Sequence, residues 1–293
     1  MTTQAAVAAM TDPPNRFYRY PVAARVGSNH GTTRVTADQV TLVGTLLGVA
    51  AGVAVTFGSR SSLFVAAVLW ELHLLLDCVD GVLARARGTA SPLGHTYDIM
   101  GDAVAYVALA AAMYGFVRTT SPEAPAGAIT LAMIASGALT AWTHDFYFRK
   151  FRAALTDGAD VVYEDLVAKR HMIAAGGGFV AWFGYVFSWL QVIGLQPGTV
   201  LDVTRRLRAG VPPPSPGTSR EARGIVAAAA TPRGRVAFRL LGLMSNDNCV
   251  ALLGLGLLFG RIVEAEIAAT VYASIMLVIG VAACQLFVLA PGN

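Results

Sequence analysis

Long apolar runs separated by short polar stretches dominate this chain of 293 residues. The hydrocarbon core of a membrane needs about 20 consecutive apolar residues per helix. Five stretches reach that length, namely residues 38–57, 61–83, 98–117, 127–148 and 267–290. A sixth stretch, 248–260, reaches it if residues 240–244 belong to the same helix. The pattern therefore predicts an all-α integral membrane protein with six transmembrane helices.

A seventh apolar run, residues 172–195, is less regular because it contains three consecutive glycines and many aromatic side chains. The basic residues bear on whether it crosses the membrane, since cytoplasmic loops carry an excess of Lys and Arg. If it does not cross, both chain termini are cytoplasmic. Of the 22 basic residues, only three then face outward: Arg60, Arg118 and Arg261. We therefore favour an embedded, non-crossing segment, and a full seventh span is the alternative.

The polar stretches suggest how the chain is organised. Residues 1–37 are polar and basic and are predicted to form an N-terminal cytoplasmic or interfacial segment, followed by a membrane domain at 38–293. Residues 149–245 form an insertion, and its Pro-, Ser- and Gly-rich part, 211–223, is predicted to be a flexible linker. The neighbouring residues 201–208 and 233–243 are predicted to be basic amphipathic helices on the membrane surface, with surface anchoring as their simplest role.

Composition agrees with a membrane protein, since 14% of the residues are charged against about 25% in soluble domains. The three cysteines, Cys78, Cys249 and Cys284, show no metal or disulfide spacing and are predicted to be small core residues. Residues 1–37 contain no apolar segment of the kind found in cleavable signal peptides. The net charge of +4 is modest, and we expect no nucleic-acid partner.

Four aspartates lie in or beside the second and third predicted spans. Asp77 and Asp80 are three residues apart and Asp98 and Asp102 are four apart, so each pair shares one face of a helix. About 14 residues, 84–97, join the two helices and include glycine and proline, so the chain turns there. The helices are then antiparallel neighbours. All four carboxylates are expected to converge near the cytoplasmic boundary.

Four converging carboxylates repel one another unless a counter-charge is present. Hard divalent cations such as Mg²⁺ take oxygen ligands and often bind carboxylates together with substrate phosphates. The pattern therefore suggests metal-assisted phosphate chemistry at the membrane surface. A structural cluster with Arg85, Arg87 or His73 is the alternative. Ionisable residues within membranes usually have a function, which favours the metal site.

The stretch also has a recognisable signature: Asp77-x2-Asp80-Gly81-x2-Ala84-Arg85-x8-Gly94-x3-Asp98-x3-Asp102. It resembles the signature of the CDP-alcohol phosphotransferase family, with every fixed position filled. The resemblance implies a transferase that moves the phosphoryl-alcohol part of a CDP-alcohol to an acceptor alcohol and releases CMP. Many members have a Pro-Asn pair before the first span, whereas this chain has Asp38 where the Asn is expected. The insertion at 149–245 is a second departure from compact members.

The resemblance further implies roles for individual residues. By analogy with the family, the metal ligands are Asp77, Asp80, Asp98 and Asp102, and they are expected to hold two Mg²⁺ or Mn²⁺ ions. Asp102 is also the implied catalytic base that accepts the proton of the attacking hydroxyl. The CDP-binding residues are Gly81, Ala84, Arg85 and Gly94. Several relatives form homodimers, and a homodimer is expected here.

The sequence defines the identity of the acceptor and the donor less closely than it defines the metal-binding residues. Arg149, Lys150 and Arg152 are possible acceptor-binding residues, with simple membrane anchoring as the alternative. CDP-diacylglycerol with a polar alcohol is the favoured substrate pair, which predicts a role in phospholipid biosynthesis. A small CDP-alcohol with a lipid acceptor, and a donor and acceptor that are both water-soluble, are the alternatives. Two other functions fit some of the pattern: an intramembrane Mg²⁺-dependent prenyltransferase and a cation-coupled transporter. His73 shares a helix face with Asp77 and Asp80, and is expected to be either an interior histidine or a residue that orients a ligand.

Overall fold

The computed structural model describes residues 2–28, 35–89 and 92–289, and all regular structure within them is helical. These residues form thirteen α-helices: α1 Thr3–Met10, α2 Tyr20–Ser28, α3 Ala37–Thr56, α4 Arg60–Ala86, α5 Pro92–Thr120, α6 Ala126–Thr156, α7 Val161–Ala174, α8 Gly178–Leu195, α9 Val200–Arg208, α10 Arg220–Ala230, α11 Pro232–Met244, α12 Asn246–Phe259 and α13 Ile262–Phe287. A π-helical turn, Asn15–Arg19, precedes α2, and a 3₁₀ turn, Pro197–Thr199, precedes α9. The predicted all-α fold is confirmed.

Seven helical stretches among the described residues are long and apolar enough to cross a membrane. They are α3, α4, α5 from Gly94, α6, α8, α11 with α12, and α13. Many of their large apolar side chains point outward; Val107 is 64% exposed and Val278 is 70% exposed. Water-soluble proteins rarely expose apolar patches on this scale, whereas a membrane protein presents them to lipid. The protein is therefore an integral membrane protein.

The connection between the two aspartate helices is shorter than expected. α4 continues to Ala86 and α5 begins at Pro92, so residues 87–91 join them instead of the predicted 84–97. Proline is well tolerated in the first turn of a helix, where its missing N–H has no intrahelical partner. Asp98 consequently lies in the second turn of α5 rather than at its start. Residues 90 and 91 lie outside the described residues, as do residues 29–34 of the predicted N-terminal segment and residue 290 of the last predicted span.

The irregular apolar run at 172–195 is divided by a turn. Its first residues complete α7, and α8 starts at Gly178. Gly176 and Gly178 have φ angles of 86° and 65°, a left-handed conformation that glycine adopts at little cost. By length and composition α8 qualifies as a span, so its non-crossing placement stays a prediction.

The predicted insertion at 149–245 starts within α6 and includes α7 to α11. Its two predicted surface helices have the bounds of α9 and α11. Because α11 also belongs to a stretch that qualifies as a span together with α12, its placement on the membrane surface stays a prediction. α10 already begins at Arg220, so only residues 211–219 of the predicted linker are not helical. The Tyr163 hydroxyl donates to the Val211 carbonyl at 2.7 Å, and the Gly217 N–H donates to the Gly158 carbonyl at 2.9 Å. These two bonds attach the stretch to α7 and to the residues before it.

Two compact units share the chain, and one of them consists of Pro13–Ala138 and Asn246–Ser274. In this unit α3 packs closely against α4 and α5 through glycines four residues apart, Gly44, Gly48 and Gly52. A Cβ atom added at Gly48 would lie 2.5 Å from the Ala105 Cβ, and one at Gly52 would lie 2.9 Å from the Ala108 carbonyl oxygen. Small residues at this spacing let helix backbones approach each other within a membrane. The three helices that carry the candidate site are therefore held together by backbone proximity.

The second unit consists of Met1–Asp12, Leu139–Ser245 and Ile275–Asn293. Its core is aromatic, with Phe146, Tyr147, Phe151 and Phe238 fully buried. A buried polar cluster joins α7 to α8 beside this core. The Lys169 ammonium donates to Asp165 at 2.8 Å and to the Ser188 hydroxyl at 3.0 Å. Burial lowers the pKa of Lys169, although the neighbouring carboxylate opposes that shift.

Candidate active site

Three of the four signature aspartates meet at one point between α4 and α5. Asp77, Asp98 and Asp102 each offer a carboxylate oxygen, and these oxygens lie within 4.8 Å of one another. The three side chains are only partly buried, so ions and ligands can reach them. The spacing along the sequence had predicted this convergence of two helix faces. Three carboxylates at these distances form a plausible oxygen donor set for a hard divalent cation.

Asp80 lies beside this cluster in a more enclosed environment. It is buried, and the Thr41 hydroxyl from α3 donates to its Oδ2 atom at 2.5 Å. A hydrogen bond to one carboxylate oxygen fixes the orientation of the group, as in the outer shell of many metal sites. Thr41 was missed by the sequence analysis, because only the packing of α3 on α4 brings it near Asp80.

A cavity of about 130 Å³ opens next to the aspartates. It is lined by Tyr20, Asp77, Cys78, Asp80, Gly81, Arg85 and Asp98. Pockets that enclose entire drug-sized ligands measure about 300–1,000 Å³. The cavity is therefore of a size for ions and phosphate groups rather than for a whole lipid-linked nucleotide.

Gly81 and Arg85 both line the cavity, one helical turn apart on α4. A Cβ atom added at Gly81 would lie 3.2 Å from Arg85 Nη1, so the missing side chain leaves room for the guanidinium to pass over the helix. A guanidinium in this position can bind phosphate oxygens. The other two predicted CDP-binding residues, Ala84 and Gly94, lie on α4 and α5 but are not among the residues that line this cavity.

His73 occupies the interior position predicted for it and lies close to the aspartate cluster. Its Nδ1 atom is 3.1 Å from the Gly44 carbonyl, and its ring contacts those of Trp70 and Tyr106. The buried Nε2 atom has no hydrogen-bond partner among the described residues and lies 3.7 Å from Asp102 Oδ1. A buried polar atom without a partner next to three carboxylates fits a site that is completed by a bound group.

The basic residues predicted to bind the acceptor lie in the unit that contains Leu139–Ser245. Arg149 donates to Asp145, Asp165 and Gln191. The Lys150 ammonium lies 2.9 Å from a Glu221 oxygen. These carboxylates already balance much of the positive charge, which leaves Arg149 and Lys150 less suited to hold an acceptor phosphate. Arg152 is half-buried on the same helix.

Comparison with known proteins identifies the family of this chain. A family model for CDP-alcohol phosphatidyltransferase matches residues 34–196, which is more than half of the chain. The chain belongs to this family, and the resemblance seen in the signature is confirmed. The protein is thus a membrane-embedded transferase of substituted phosphate groups that acts on a CDP-alcohol and an alcohol. The family generally depends on divalent metal ions. A search of curated proteins gave no match.

Proposed function

We propose that this enzyme transfers the phosphoryl-alcohol part of CDP-diacylglycerol to an acceptor alcohol and so takes part in phospholipid biosynthesis. The acceptor oxygen attacks the phosphorus atom that carries the diacylglycerol. The bond between that phosphorus and the oxygen bridging to CMP breaks. The products are a phosphodiester, CMP and the proton of the acceptor hydroxyl. The observation that carries the proposal is the cluster of Asp77, Asp98 and Asp102 beside Asp80 and Arg85.

The donor set fits divalent ions, and we assign two Mg²⁺ or Mn²⁺ ions to Asp77, Asp80, Asp98 and Asp102. Bound ions would neutralise the charge that develops on the transferred phosphoryl group and on the leaving phosphate. A side chain of the protein accepts the proton that the acceptor hydroxyl loses. Asp102 is the residue we assign as general base, because its carboxylate is 39% exposed and belongs to the cluster. It accepts the proton of the acceptor hydroxyl.

The donor is bound by Gly81 and Arg85 in this proposal, with Ala84 and Gly94 in a supporting role near the ends of α4 and α5. Arg85 pairs with the diphosphate, because a guanidinium presents several fixed donors to phosphate oxygens. We place the site at the cytoplasmic face, where Arg85 and Arg87 follow the positive-inside pattern. A water-soluble polar alcohol can then reach the cavity while the diacylglycerol chains stay in the membrane. We also propose that the enzyme is a homodimer.

The proposal is tested by CMP release from the purified, detergent-solubilised protein with CDP-diacylglycerol and Mg²⁺. A panel of acceptors should include glycerol 3-phosphate, inositol, inositol phosphate and serine. We expect CMP to appear with at least one acceptor, together with one equivalent of a new phospholipid. CMP release with small CDP-alcohols but never with CDP-diacylglycerol would contradict the choice of donor. The absence of CMP release with every donor and acceptor would contradict the activity itself.

A further inference from the structure

One wall of the aspartate cavity comes from a segment far from the signature in sequence. Of the described residues that line it, all belong to α4 or α5 except Tyr20, the first residue of α2. Tyr20 also packs on a small apolar cluster formed by Ala23, Cys78 and Val79. It precedes the region matched by the family, which starts at residue 34. The N-terminal segment is therefore a structural part of the site.

The π-helical turn determines which side chains of this segment face inward. Phe17 is 72% exposed and Tyr18 is 49% exposed, whereas Asn15 and Arg19 are buried. The wider turn thus points two aromatic side chains outward and directs the next one, Tyr20, to the cavity. Such π-helical turns are frequent at functional sites.

Contacts of the buried Arg19 and Asn15 side chains with Glu71 and Asp247 hold the turn in place. Arg19 donates from Nε and Nη2 to the two carboxylate oxygens of Glu71, at 2.8 and 2.9 Å. Asn15 donates to Asp247 Oδ2 at 2.7 Å, and Arg19 Nη1 lies 3.6 Å from Asp247 Oδ1. Burial would lower the pKa of Arg19, but the bond to Glu71 and the charges of Asp247 and Glu71 outweigh it and raise the pKa. The turn is therefore fixed to α4 and α12 by a permanently charged guanidinium.

The position of Tyr20 suggests which interaction its hydroxyl makes with a ligand. Its phenol group shares the cavity with Asp77, Asp80 and Arg85. A tyrosine hydroxyl has an ordinary pKa of about 10, so it keeps its proton at physiological pH and can act as a hydrogen-bond donor. A nucleotide diphosphate is rich in anionic acceptor oxygens, and a hydrogen bond to a charged acceptor is stronger than one between neutral groups.

We propose that the Tyr20 hydroxyl donates a hydrogen bond to the diphosphate of the CDP-alcohol and is a donor-binding residue. This inference rests on the proposed function, because it requires a CDP-linked donor at the aspartate site. It assigns a role to residues 13–28 that the signature does not contain. Arg19 and Glu71 are then positioning residues, which act through the placement of Tyr20.

The test compares Tyr20→Phe, which removes only the hydroxyl, with Tyr18→Phe on the outward face of the same segment. Calorimetric titration with CDP in the presence of Mg²⁺ measures binding, and steady-state CMP release measures kcat and KM. We expect Tyr20→Phe to weaken CDP binding about tenfold or more, as for the loss of a hydrogen bond to a charged group. KM for the CDP-alcohol should rise by a similar factor with kcat nearly unchanged. Tyr18→Phe should behave like the wild type.

The outcomes separate this inference from the proposed function. If the wild type binds CDP and releases CMP but Tyr20→Phe binds CDP equally well, Tyr20 has no role in donor binding and the phosphotransfer activity stands. Lower thermal stability and kcat in Tyr20→Phe with unchanged CDP affinity would also overturn the inference, since that pattern indicates a structural role. If the wild type neither binds CDP nor releases CMP, the proposed function fails and the role of Tyr20 fails with it.

Discussion

At the scale of single residues, the four signature aspartates occupy two different environments. Asp77, Asp98 and Asp102 are partly exposed, and their carboxylate oxygens lie within 4.8 Å of one another. Asp80 is buried and accepts a hydrogen bond from Thr41. Of the first three, Asp77 and Asp98 line the cavity. Asp80 is held in one orientation by a neighbour from another helix. Its contribution to a metal site should therefore depend on that neighbour.

We expect Thr41→Val to weaken divalent metal binding about 10- to 100-fold, as is typical when an outer-shell partner of a metal ligand is removed. Thr41→Ser keeps the hydroxyl and should stay close to the wild type. Titration with Mn²⁺ followed by electron paramagnetic resonance measures the affinity. Equal Mn²⁺ affinity in Thr41→Val and wild type would show that the hydrogen bond to Asp80 does not support the site.

Gly81→Ala should raise KM for the CDP-alcohol several-fold with little change in the free energy of unfolding. The added Cβ atom would lie 3.2 Å from Arg85 Nη1, so the guanidinium has to move by a few tenths of an ångström or more. Gly115→Ala is a matched control on α5, because nothing lies within 4 Å of its added Cβ atom. A KM for Gly81→Ala that equals that of Gly115→Ala would speak against a role of Arg85 in donor binding.

At the scale of helices, the site depends on how closely α3 approaches α4 and α5. The row of Gly44, Gly48 and Gly52 allows this approach, and it brings Thr41 to Asp80 and the Gly44 carbonyl to His73. Within a membrane, close van der Waals packing of small residues is a main source of helix association. The glycines of α3 thus support the site through helix packing rather than by contacting Asp77, Asp98 or Asp102.

Gly52→Ala is expected to destabilise the protein by about 1–3 kcal/mol, the usual cost of overpacking a closely packed contact. The added Cβ atom would lie 2.9 Å from the Ala108 carbonyl oxygen, a backbone atom that cannot rotate away. Gly254→Ala on α12 has open space around its added Cβ atom and serves as the control. Thermal unfolding in detergent measures the difference. Equal melting temperatures for both variants would contradict the predicted packing.

Much of the fold and part of the site could be predicted from the sequence. Individual residues show why the rest could not be predicted. The 3.6-residue helical period is enough to bring Asp77, Asp98 and Asp102 to facing helix surfaces. Tyr20 and Arg19 carry no such signal, because their partners are about 50 or more residues away and the π-helical turn that orients them changes the helical register. The length of the α4–α5 connection was overestimated because Gly88 and Pro92 indicate a turn, although Pro92 is compatible with the first turn of a helix.

At the scale of the whole molecule, the distribution of basic residues indicates on which side of the membrane the stretches between helices lie. Eight arginines follow α8 in the stretch 196–239. They lie on the cytoplasmic side if α8 is embedded without crossing and on the outer side if it crosses. The positive-inside rule favours the first arrangement. The length of α8 permits either one.

A cysteine introduced at Ser215, an exposed position among residues 211–219, tests the arrangement. The three native cysteines are buried, which limits background labelling. With a membrane-impermeant maleimide on intact cells, Ser215→Cys should remain unlabelled. Glu123→Cys, in the predicted outer connection between α5 and α6, should be labelled. Labelling of Ser215→Cys from outside would establish a seventh span.

The most direct test of the central claim is CMP release by aspartate variants of the purified enzyme. Asp98→Asn and Asp102→Asn should lower kcat/KM at least about a hundredfold, because charge stabilisation at a metal-assisted phosphoryl transfer accounts for several kcal/mol. Removal of divalent ions with EDTA should abolish CMP release from the wild type, and added Mg²⁺ should restore it. Asp202→Asn, an exposed carboxylate on α9, should leave activity unchanged. CMP release that persists in Asp98→Asn and Asp102→Asn, or that does not need a divalent ion, would contradict the account.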